Sequence, residues 1–555
     1  MKNKIAVVLI GLAGLGALAW FNRIDLLLMV VKFQSQREFE VAPHREIIWP
    51  EGPEEAAANA DARPPNVVLI VADDLGYNDI STFGGGVAGG RVQTPSIDRL
   101  AAEGAVFSQS YAGSATCAPS RAMIMTGRYP TRTGFEFTPT PSGMAPMAAK
   151  IADSLDSGLP PTRFNREAAE AALPYELQGL PSEEVTIAEV LKARGYQTAH
   201  IGKWHLGRSA GSLPTDQGFD DSLLMASGLF LPEDDPDVVN AKLPFDPIDQ
   251  FLWARMDYAA SFNTGDVDRF RPKGYLTDYW TEESVKFIRA NRNRPFFLYL
   301  AHWATHTPLQ ATREDYEAVG DIKPHRLRVY AAMVRALDRS VARITEALEA
   351  EGLADNTIVV FTSDNGGAGY LGLPEVNAPY RGWKLTAFEG GIRAPLFIKW
   401  PRRIPKGSVV ETPAAHIDLM PTVANAVGAS TPEGVELDGI DLLPLATGQA
   451  DDDQVRTLFW QSGYYRIVRH GDWKLQVSER PNKQWLYNLA EDPTEQRNLA
   501  QQRPDKVREL IALLDQHKDN GRAPLYPYVV EMPVAIDKTL AEKFEPGDEY
   551  IYWPN

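Results

Sequence analysis

The stretch NVVLIVADD, residues 66–74, is an unbroken run of apolar residues that ends in two adjacent aspartates. Such a run is typical of a strand buried on both faces, as in a parallel sheet covered by helices. Three other short apolar runs also end in polar residues beside glycine or proline: YQTAHIGKWHLG (196–207), RPFFLYLAHWATHTPLQ (294–310) and NTIVVFTSDNGG (356–367). Because helical patterns separate the runs, the sequence predicts an α/β fold.

The polar residues that follow the four predicted strands are candidates for one common site. Ligands of open α/β sheets bind outside the carboxyl ends of parallel strands, so these ends are expected to meet at one edge. A single polar strand end is usually only solvated, whereas four ends with carboxylates, imidazoles and a lysine favour a functional site. The residues concerned are Asp73, Asp74, Lys203, His205, His302, His306, Asp364 and Asn365.

Two of these strand ends predict a metal site. Asp73, Asp74, Asp364 and Asn365 are hard oxygen donors, which suit Ca²⁺ or Mg²⁺ far better than zinc. The adjacent carboxylates would also repel each other without a cation. The alternative is that each Asp caps the helix that follows its strand, and two such pairs favour the metal over the caps.

Cys117 is the only cysteine of the chain and opens the segment CAPSRAMIMTGR, residues 117–128. The segment has the features of a helix start, with Pro119 in the first turn, so Cys117 is expected at the positive end of a helix. An anion would be stabilised there, and Arg121 could hold a nucleophile and compensate nearby charge. A buried structural cysteine is the alternative.

Bulk composition narrows the class of protein. The 555 residues carry a formal net charge of -17, which argues against a nucleic-acid binder. Lys2 and Lys4 precede an apolar run, Ile5–Phe21, and this start predicts export to the periplasm or the extracellular space. Residues 1–33 are interpreted as a signal peptide or membrane anchor, with a buried N-terminal helix as the alternative.

The rest of the chain divides by pattern into three parts. Residues 34–65 are polar and rich in Ala, Pro and Glu, which predicts a linker. Residues 66–450 hold the alternating strands and helices, and residues 451–555 hold alternating strands around turns, which predicts a smaller antiparallel domain. The segments 135–184 and 229–273 are interpreted as insertions that border the site, and the aromatic tail is expected to dock.

The segment CAPSR matches the C-x-P-S-R signature of the type I sulfatases, the formylglycine-dependent enzymes of the alkaline phosphatase superfamily. Other segments are similar to that family in the family's order, and together the resemblance covers roughly residues 65–515: VADDLGYNDISTFGG, GYQTAHIGKWHLG, HTPLQA, FTSDNGG, KLTAFEGGIRAPLFIKWP and WLYNLAEDPTEQRNLA. It implies a large, mixed but mostly parallel sheet flanked by helices, with a smaller C-terminal antiparallel sheet.

The resemblance also implies roles for individual residues. A separate formylglycine-generating enzyme would oxidise Cys117 to Cα-formylglycine, whose hydrate is the nucleophile. One Ca²⁺, with Mg²⁺ as the alternative, would be bound by that hydrate together with Asp73, Asp74, Asp364 and Asn365. Arg121 would support the hydrate, and Lys203 would contact both nucleophile and sulfate. His205 would be the base that breaks down the intermediate, while His306 and Lys384 would hold the sulfate and help protonate the leaving oxygen.

The predicted reaction is hydrolysis of the sulfate ester of a small molecule or sugar. A phosphodiesterase or phosphonate monoester hydrolase of the same superfamily is the first alternative, and a non-catalytic ligand-binding homologue is the second. Lys203 and Lys384 stand where a two-metal phosphatase would need ligands for a second cation, which favours sulfate. Aryl, steroid and carbohydrate sulfates all stay open as substrates.

Overall fold

The computed structural model describes residues 23–56, 63–141, 143–431 and 433–555. The apolar run Ile5–Phe21, on which the export prediction depends, lies outside these residues. A second apolar patch follows at residues 26–31 and belongs to a helix, Arg23–Glu38. Within the described ranges, no helix is both long enough and apolar enough to span a bilayer.

An eleven-stranded sheet forms the centre of the molecule. The four predicted strands lie side by side in it and run parallel, as the sequence predicts. Antiparallel pairs occur towards both edges, so the sheet is mixed. The strands in spatial order are Val41–Ala42, Arg269–Phe270, Tyr258–Phe262, Asp221–Gly228, Gln197–Gly202, Phe296–Ala301, Asn66–Ala72, Thr357–Ser363, Leu396–Lys399, Ala105–Phe107 and Ser408–Val410.

The register of the parallel strands places their carboxyl ends at one level. Ala301 pairs with Val71, and Ser363 pairs with Ala72, so the residues that follow leave the sheet together. Gly202, the last residue before Lys203, has a φ of 108°, and a Cβ there would lie 1.9 Å from the Ala301 carbonyl oxygen. Only glycine allows the backbone to come this close. The turn at Gly202 directs the chain that follows, beginning with Lys203, towards the carboxyl ends of the neighbouring strands.

Helices cover both faces of the sheet because successive strand residues point to opposite sides. Val68 and Ile70 pack against one helical layer, whereas Val67 and Leu69 pack against the other. The first layer contains Pro95–Ala102, Leu276–Ala290 and His325–Ala350, and the second contains Cys117–Thr126, Ile187–Ala193 and Leu419–Ala426.

A separate antiparallel sheet follows the large one. Its four strands are Thr457–Ser462, Tyr465–His470, Trp473–Glu479 and Asn482–Asn488, and the helix Pro504–Asp519 packs on them. The tail docks through two further strands, Val530–Ala535 and Tyr550–Pro554, which pair with each other, and the first of them also pairs with Arg163–Phe164. Two small pairs, Leu309–Thr312 with Val238–Ala241 and Ala414–Ala415 with Ser110–Tyr111, complete the strands. The remaining α-helices are Val87–Gly90, Pro130–Thr133, Met144–Ser154, Arg166–Ala171, Pro247–Arg255, Arg313–Ala318, Glu389–Ile392 and Leu443–Ala446.

Two predicted irregular segments are more ordered than the sequence suggests. The first half of the predicted linker, residues 34–65, packs on the sheet because Ile47 and Trp49 are buried in the core. The Trp49 indole also donates a hydrogen bond to Glu283 at 2.9 Å. The predicted insertion 229–273 supplies two strands to the edge of the large sheet.

Candidate active site

Asp73 and Asp74 follow the central strand Asn66–Ala72 and are buried. The backbone of Asp73 is fixed on both sides, since its N–H donates to Ala304 O at 2.8 Å and its carbonyl accepts from Thr305 N at 2.6 Å. Asp74 has a φ of 59°, in the left-handed region that aspartate tolerates better than most residues. This turn directs two adjacent carboxylates to the same place at the edge of the sheet.

Cationic side chains surround these carboxylates. Lys203 Nζ lies 2.6 Å from Asp73 Oδ2. Lys384 Nζ lies 2.7 Å from Asp74 Oδ1. Burial alone would lower the pKa of Lys384, but Asp74 raises it well above its ordinary value. Both lysines therefore offer positive charge to an anion bound beside them.

Arg121 links two of the predicted metal ligands. Its guanidinium lies 2.8 Å from Asp364 Oδ2 and 3.2 Å from Asp73 Oδ2. The group is fully buried, and it also donates to the Lys203 carbonyl and to the Tyr299 hydroxyl at 3.2 and 3.3 Å. A buried guanidinium with this many fixed partners acts as a rigid support for the carboxylates.

The four predicted metal ligands are neighbours. Asp364 Oδ1 accepts a bond from Asp74 N at 3.3 Å, and the Asn365 side-chain amide donates to Asp74 Oδ1 at 2.8 Å. Asn365 Oδ1 is buried and has no hydrogen-bond partner among the residues that the structure describes. One ligand atom each from Asp73, Asp74, Cys117 and His306 lie within 4.8 Å of one another, so this group is compact enough for one cation, although Asp364 is not part of it.

Cys117 is the first residue of the helix Cys117–Thr126, as predicted, and its thiol faces the carboxylates. Its Sγ lies 3.5 Å from Asp73 Oδ1 and 3.8 Å from Asp74 Oδ1. Burial, together with the nearby Asp364, raises the pKa of the thiol well above its usual value. Burial opposes a thiolate here, whereas a cation bound by the neighbouring carboxylates would favour one.

The helix that carries Cys117 is braced from behind by His416. The Ser120 Oγ lies 2.9 Å from His416 Nδ1, and Thr362 Oγ1 lies 3.0 Å from Nε2 of the same ring. Burial lowers the pKa of His416 to about 3, so the ring is neutral and serves as a hydrogen-bonding spacer.

Two further histidines lie at the site, and both are held neutral. His306 stacks on Trp303 with ring centroids 4.0 Å apart, and its Nδ1 donates to Thr307 O at 2.6 Å. Burial, followed by the charge of Lys384, lowers the pKa of His306 to about 3. Burial and the charge of Lys203 lower the pKa of His205 well below its usual range.

His302, interpreted from the sequence as part of the strand-end site, lies elsewhere. Its Nε2 is 2.9 Å from Ser340 Oγ on the long helix His325–Ala350, and the ring is fully buried. The register explains this placement, because His302 continues the sheet pairing through its N–H bond to Val71 O at 2.9 Å.

The structure adds Tyr370 and Trp303, which sequence reasoning did not identify. The Tyr370 hydroxyl donates to Asp74 Oδ2 at 2.6 Å and accepts from Lys384 at 3.1 Å. The Trp303 ring lies 4.7 Å from Lys203 Nζ and stacks on His306. Trp303 lies between the two strand-end histidines in sequence, which was an available signal, whereas nothing in the spacing of Tyr370 indicates its role.

These groups form one end of a cavity of about 310 Å³. The members of the predicted site that line it are Cys117, Lys203, His205, His306 and Lys384. Arg121, Asp73, Asp74, Asp364 and Asn365 lie behind this end and hold it in place. The arrangement suits an anion that enters the cavity and meets two lysines, two neutral imidazoles and a cation site.

Comparison with known proteins gives consistent matches. The family model described as Sulfatase matches residues 65–429, and the model described as N-sulphoglucosamine sulphohydrolase, C-terminal, matches residues 382–520. The N-acetylgalactosamine-6-sulfatase of Canis lupus familiaris is 34% identical over 411 residues, covering 72% of this chain and 69% of that protein. The steryl-sulfatase of Mus musculus is 30% identical and covers 85% of this chain and 84% of its own. A crystal structure of Ps i-CgsB in complex with k-i-k-neocarrahexaose has a TM-score of 0.68 and 29% identity, covering 84% and 95%.

Proposed function

This chain belongs to the sulfatase family and is a sulfuric ester hydrolase, and we propose that it cleaves the ester with a formylglycine formed from Cys117 and one divalent cation. The observation that carries the proposal is the position of the Cys117 sulfur. It lies beside two carboxylates that also contact Lys203 and Lys384, at the end of a cavity. A nucleophile placed there would meet an anion that both lysines attract.

The side chains that would hold the cation are Asp73, Asp74, Asp364 and Asn365. Their donors are oxygens, and the unpartnered, buried Asn365 Oδ1 is a ligand atom that needs a positive charge or a donor. Such a set fits Ca²⁺ or Mg²⁺. The cation would supply positive charge against the charge that develops on the sulfate oxygens.

A formylglycine at position 117 would supply, once hydrated, one hydroxyl for attack on sulfur and a second whose deprotonation expels sulfate. Neither a serine nor an unmodified cysteine has a second hydroxyl. This chemistry explains why the chain has a single cysteine and why that cysteine lies at the start of a helix.

The remaining side chains bind the sulfate and move protons. Lys203 and Lys384 would hold the sulfate oxygens and stabilise the charge of the departing oxygen without reorganisation. Lys384 would deliver a proton to that oxygen. His306, whose Nδ1 proton is bonded to Thr307 O, would join in this step once its Nε2, 3.6 Å from Asp74 Oδ2, has taken up a proton. His205, kept neutral by burial, would take a proton from the nucleophilic residue when the sulfated enzyme breaks down.

The test of the nucleophile is mass analysis of the tryptic peptide that contains Cys117, residues 100–121. Protein produced together with a formylglycine-generating enzyme should show a peptide about 18 Da lighter than the thiol form, whereas ordinary oxidation adds mass. Turnover of para-nitrophenyl sulfate should rise in proportion to the converted fraction. Turnover by fully unconverted protein, or by Cys117→Ala, equal to that of the converted enzyme would refute the mechanism.

The same preparation separates sulfate from phosphate hydrolysis. Lys203 and Lys384 contact the carboxylates that a second cation would need, which favours a singly charged sulfate monoester over a two-metal reaction. We expect a higher kcat/KM for an aryl sulfate than for the matching aryl phosphodiester. The opposite order would assign the chain to the diesterase branch.

We also propose that the protein is exported and held at a membrane by its N-terminal region. On the helix Arg23–Glu38, Leu26, Met29 and Phe33 are exposed on one side, while its other side packs on the protein. An exposed apolar side of this kind fits contact with lipid better than contact with water. The full chain should float with lipid vesicles, and full recovery in the soluble fraction would contradict this.

A further inference from the structure

Beyond the end that contains Lys203 and Lys384, the cavity wall consists mainly of apolar side chains from separate segments of the chain. Helix Met144–Ser154, strand Asp221–Gly228, helix Pro247–Arg255 and the C-terminal strands all contribute to it. The apolar residues concerned are Met144, Ala145, Ala148, Ala149, Leu224, Met225, Phe251, Leu252, Met256, Met532 and Trp553. A ligand that reaches the lysines therefore has its other end against hydrocarbon.

The arginines of this wall all pair with carboxylates. Arg208 and Arg269 both pair with Asp266, and Arg255 pairs with Glu38 at 3.0 Å. These guanidinium groups therefore hold the wall together. Neutral polar side chains also line the cavity, but apolar ones outnumber them, so a sugar would bring several of its hydroxyls against carbon atoms. Each buried hydroxyl without a partner weakens binding. The polar side chains are Ser35, Thr116, Thr138, Thr140, Thr162, Tyr175, Gln178, Ser227 and Asn555.

Two parts of the wall come from the ends of the described chain. Ser35 and Phe39 line the cavity from the N-terminal side, and Ser35 Oγ donates to Arg255 O at 2.6 Å. Met532 and Trp553 line it from the C-terminal side. Both ends lie outside the residues that the two family models match, 65–429 and 382–520. This part of the cavity is thus built by segments outside the regions matched to the family.

We propose that the substrate is a sulfate monoester of an alcohol or phenol with an apolar body. This rests on the proposed function, since it places the ester at the lysine end of the cavity and the carbon skeleton along the apolar wall. Removing apolar surface from water then drives binding and grows with the size of the skeleton. A sulfated sugar gains little from the same wall.

Primary alkyl sulfates test this most directly, because butyl, hexyl and octyl sulfate have closely similar leaving groups and differ in apolar length. We expect kcat/KM to rise with chain length by up to about fourfold per methylene, the effect of burying one such group. A methyl galactoside sulfated at its primary hydroxyl is the polar control, expected at least about tenfold below octyl sulfate. An equal or higher value for the sugar would overturn the proposal.

Two methionines on one helix provide matched variants. Met144 lines the cavity, whereas Met147 is not part of its wall. Met144→Gln replaces the thioether by an amide of similar length, so it should lower the octyl-to-butyl ratio of kcat/KM by about threefold or more. Met147→Gln should leave that ratio within about twofold of the wild-type value, well under one methylene. Equal effects of both variants would contradict the assigned wall.

Different experimental results would overturn the inference about the substrate and the proposed function. Para-nitrophenyl sulfate has a small body and a good leaving group, so its turnover reports the chemistry at Cys117 alone. Turnover of this ester with no dependence on alkyl length would overturn the inference and leave the function intact. No turnover by protein in which formylglycine is verified by mass would overturn both.

Discussion

Replacing Tyr370 by phenylalanine removes one oxygen from the carboxylate cluster and leaves the buried ring in place. The lost hydroxyl donates to Asp74 Oδ2 at 2.6 Å and accepts from Lys384 Nζ at 3.1 Å. It therefore fixes the relative positions of a proposed metal ligand and a proposed sulfate ligand. Because Tyr370 follows no sequence signal, the variant tests a role that comes from the geometry alone.

The distances give the size of the expected effect. A hydrogen bond to a charged group contributes about 1.5–3 kcal/mol. Asp74 keeps its contact with Lys384 at 2.7 Å, so the carboxylate stays partly satisfied and the lower end of that range applies. A loss of about 1.5 kcal/mol of transition-state stabilisation corresponds to a fall of about tenfold in kcat/KM.

The assay is hydrolysis of para-nitrophenyl sulfate over a series of Ca²⁺ concentrations. If Tyr370 orients Asp74 for the cation, half-maximal activity will need more Ca²⁺, and excess Ca²⁺ will restore most of kcat. Tyr275→Phe is the matched control, since its buried hydroxyl donates to the Gln310 carbonyl at 2.8 Å. It should lower stability slightly and leave the Ca²⁺ dependence unchanged.

Two results would refute this reasoning. A Tyr370→Phe enzyme within about twofold of wild type at every Ca²⁺ concentration would show that the hydroxyl contributes well under a full hydrogen bond. A shift of the same size in Tyr275→Phe would show that the loss reflects general loosening of the fold.

Two further predictions concern the cation and a buried carboxyl. Chelation of the cation should abolish activity and lower the midpoint of thermal unfolding. Adding Ca²⁺ to about a hundredfold above its Kd should restore about 2.7 kcal/mol of folding stability. A midpoint that chelation leaves unchanged would place the cation outside the buried cluster. Burial raises the pKa of Glu136 from 4.5 to about 7 although Gly463 N donates to it at 2.6 Å. A carboxyl whose folded-state pKa is raised stabilises the fold most below its unfolded pKa, and stability falls as pH rises from about 4.5 to about 7. Glu136→Gln should therefore gain on the order of 3 kcal/mol relative to wild type across that window in urea titrations, and a difference independent of pH would contradict the assignment.

The central sheet could be predicted because each of its parallel strands has a recognisable sequence pattern of its own. A strand such as Asn66–Ala72 is buried on both faces, so its residues must be apolar throughout and the polar residues begin where it ends. The same rule applied to the three neighbouring strands, and their parallel register then placed Asp73, Lys203 and Asp364 at one edge. Local pattern and topology together were enough for this half of the site.

Lys384 could not be found in that way, and only the family resemblance pointed to it. It lies in a tightly folded loop, where a Cβ on Gly391 would lie 1.9 Å from the Thr386 carbonyl oxygen. The path of such a loop depends on close backbone contacts, which hydrophobic periodicity does not encode. Tyr370 lies within the same region, between the Asp364 strand end and Lys384, and was missed for the same reason.

The walls of the cavity depend on contacts between residues that are even farther apart in the sequence. Asn555 accepts a bond from Val530 N at 2.8 Å through its backbone oxygen and from Thr138 N at 2.7 Å through its side chain. These contacts place Met532 and Trp553 in the wall of the cavity, whereas the candidate reactive residues at its end lie hundreds of positions earlier in the sequence. The nucleophile motif constrains these terminal segments in no direct way, so two chains with an identical CAPSR segment can differ completely in the walls that surround it. Reaction class in this protein is therefore readable from short motifs, whereas the proposed choice of ester depends on a wall that internal and terminal segments of the chain build together.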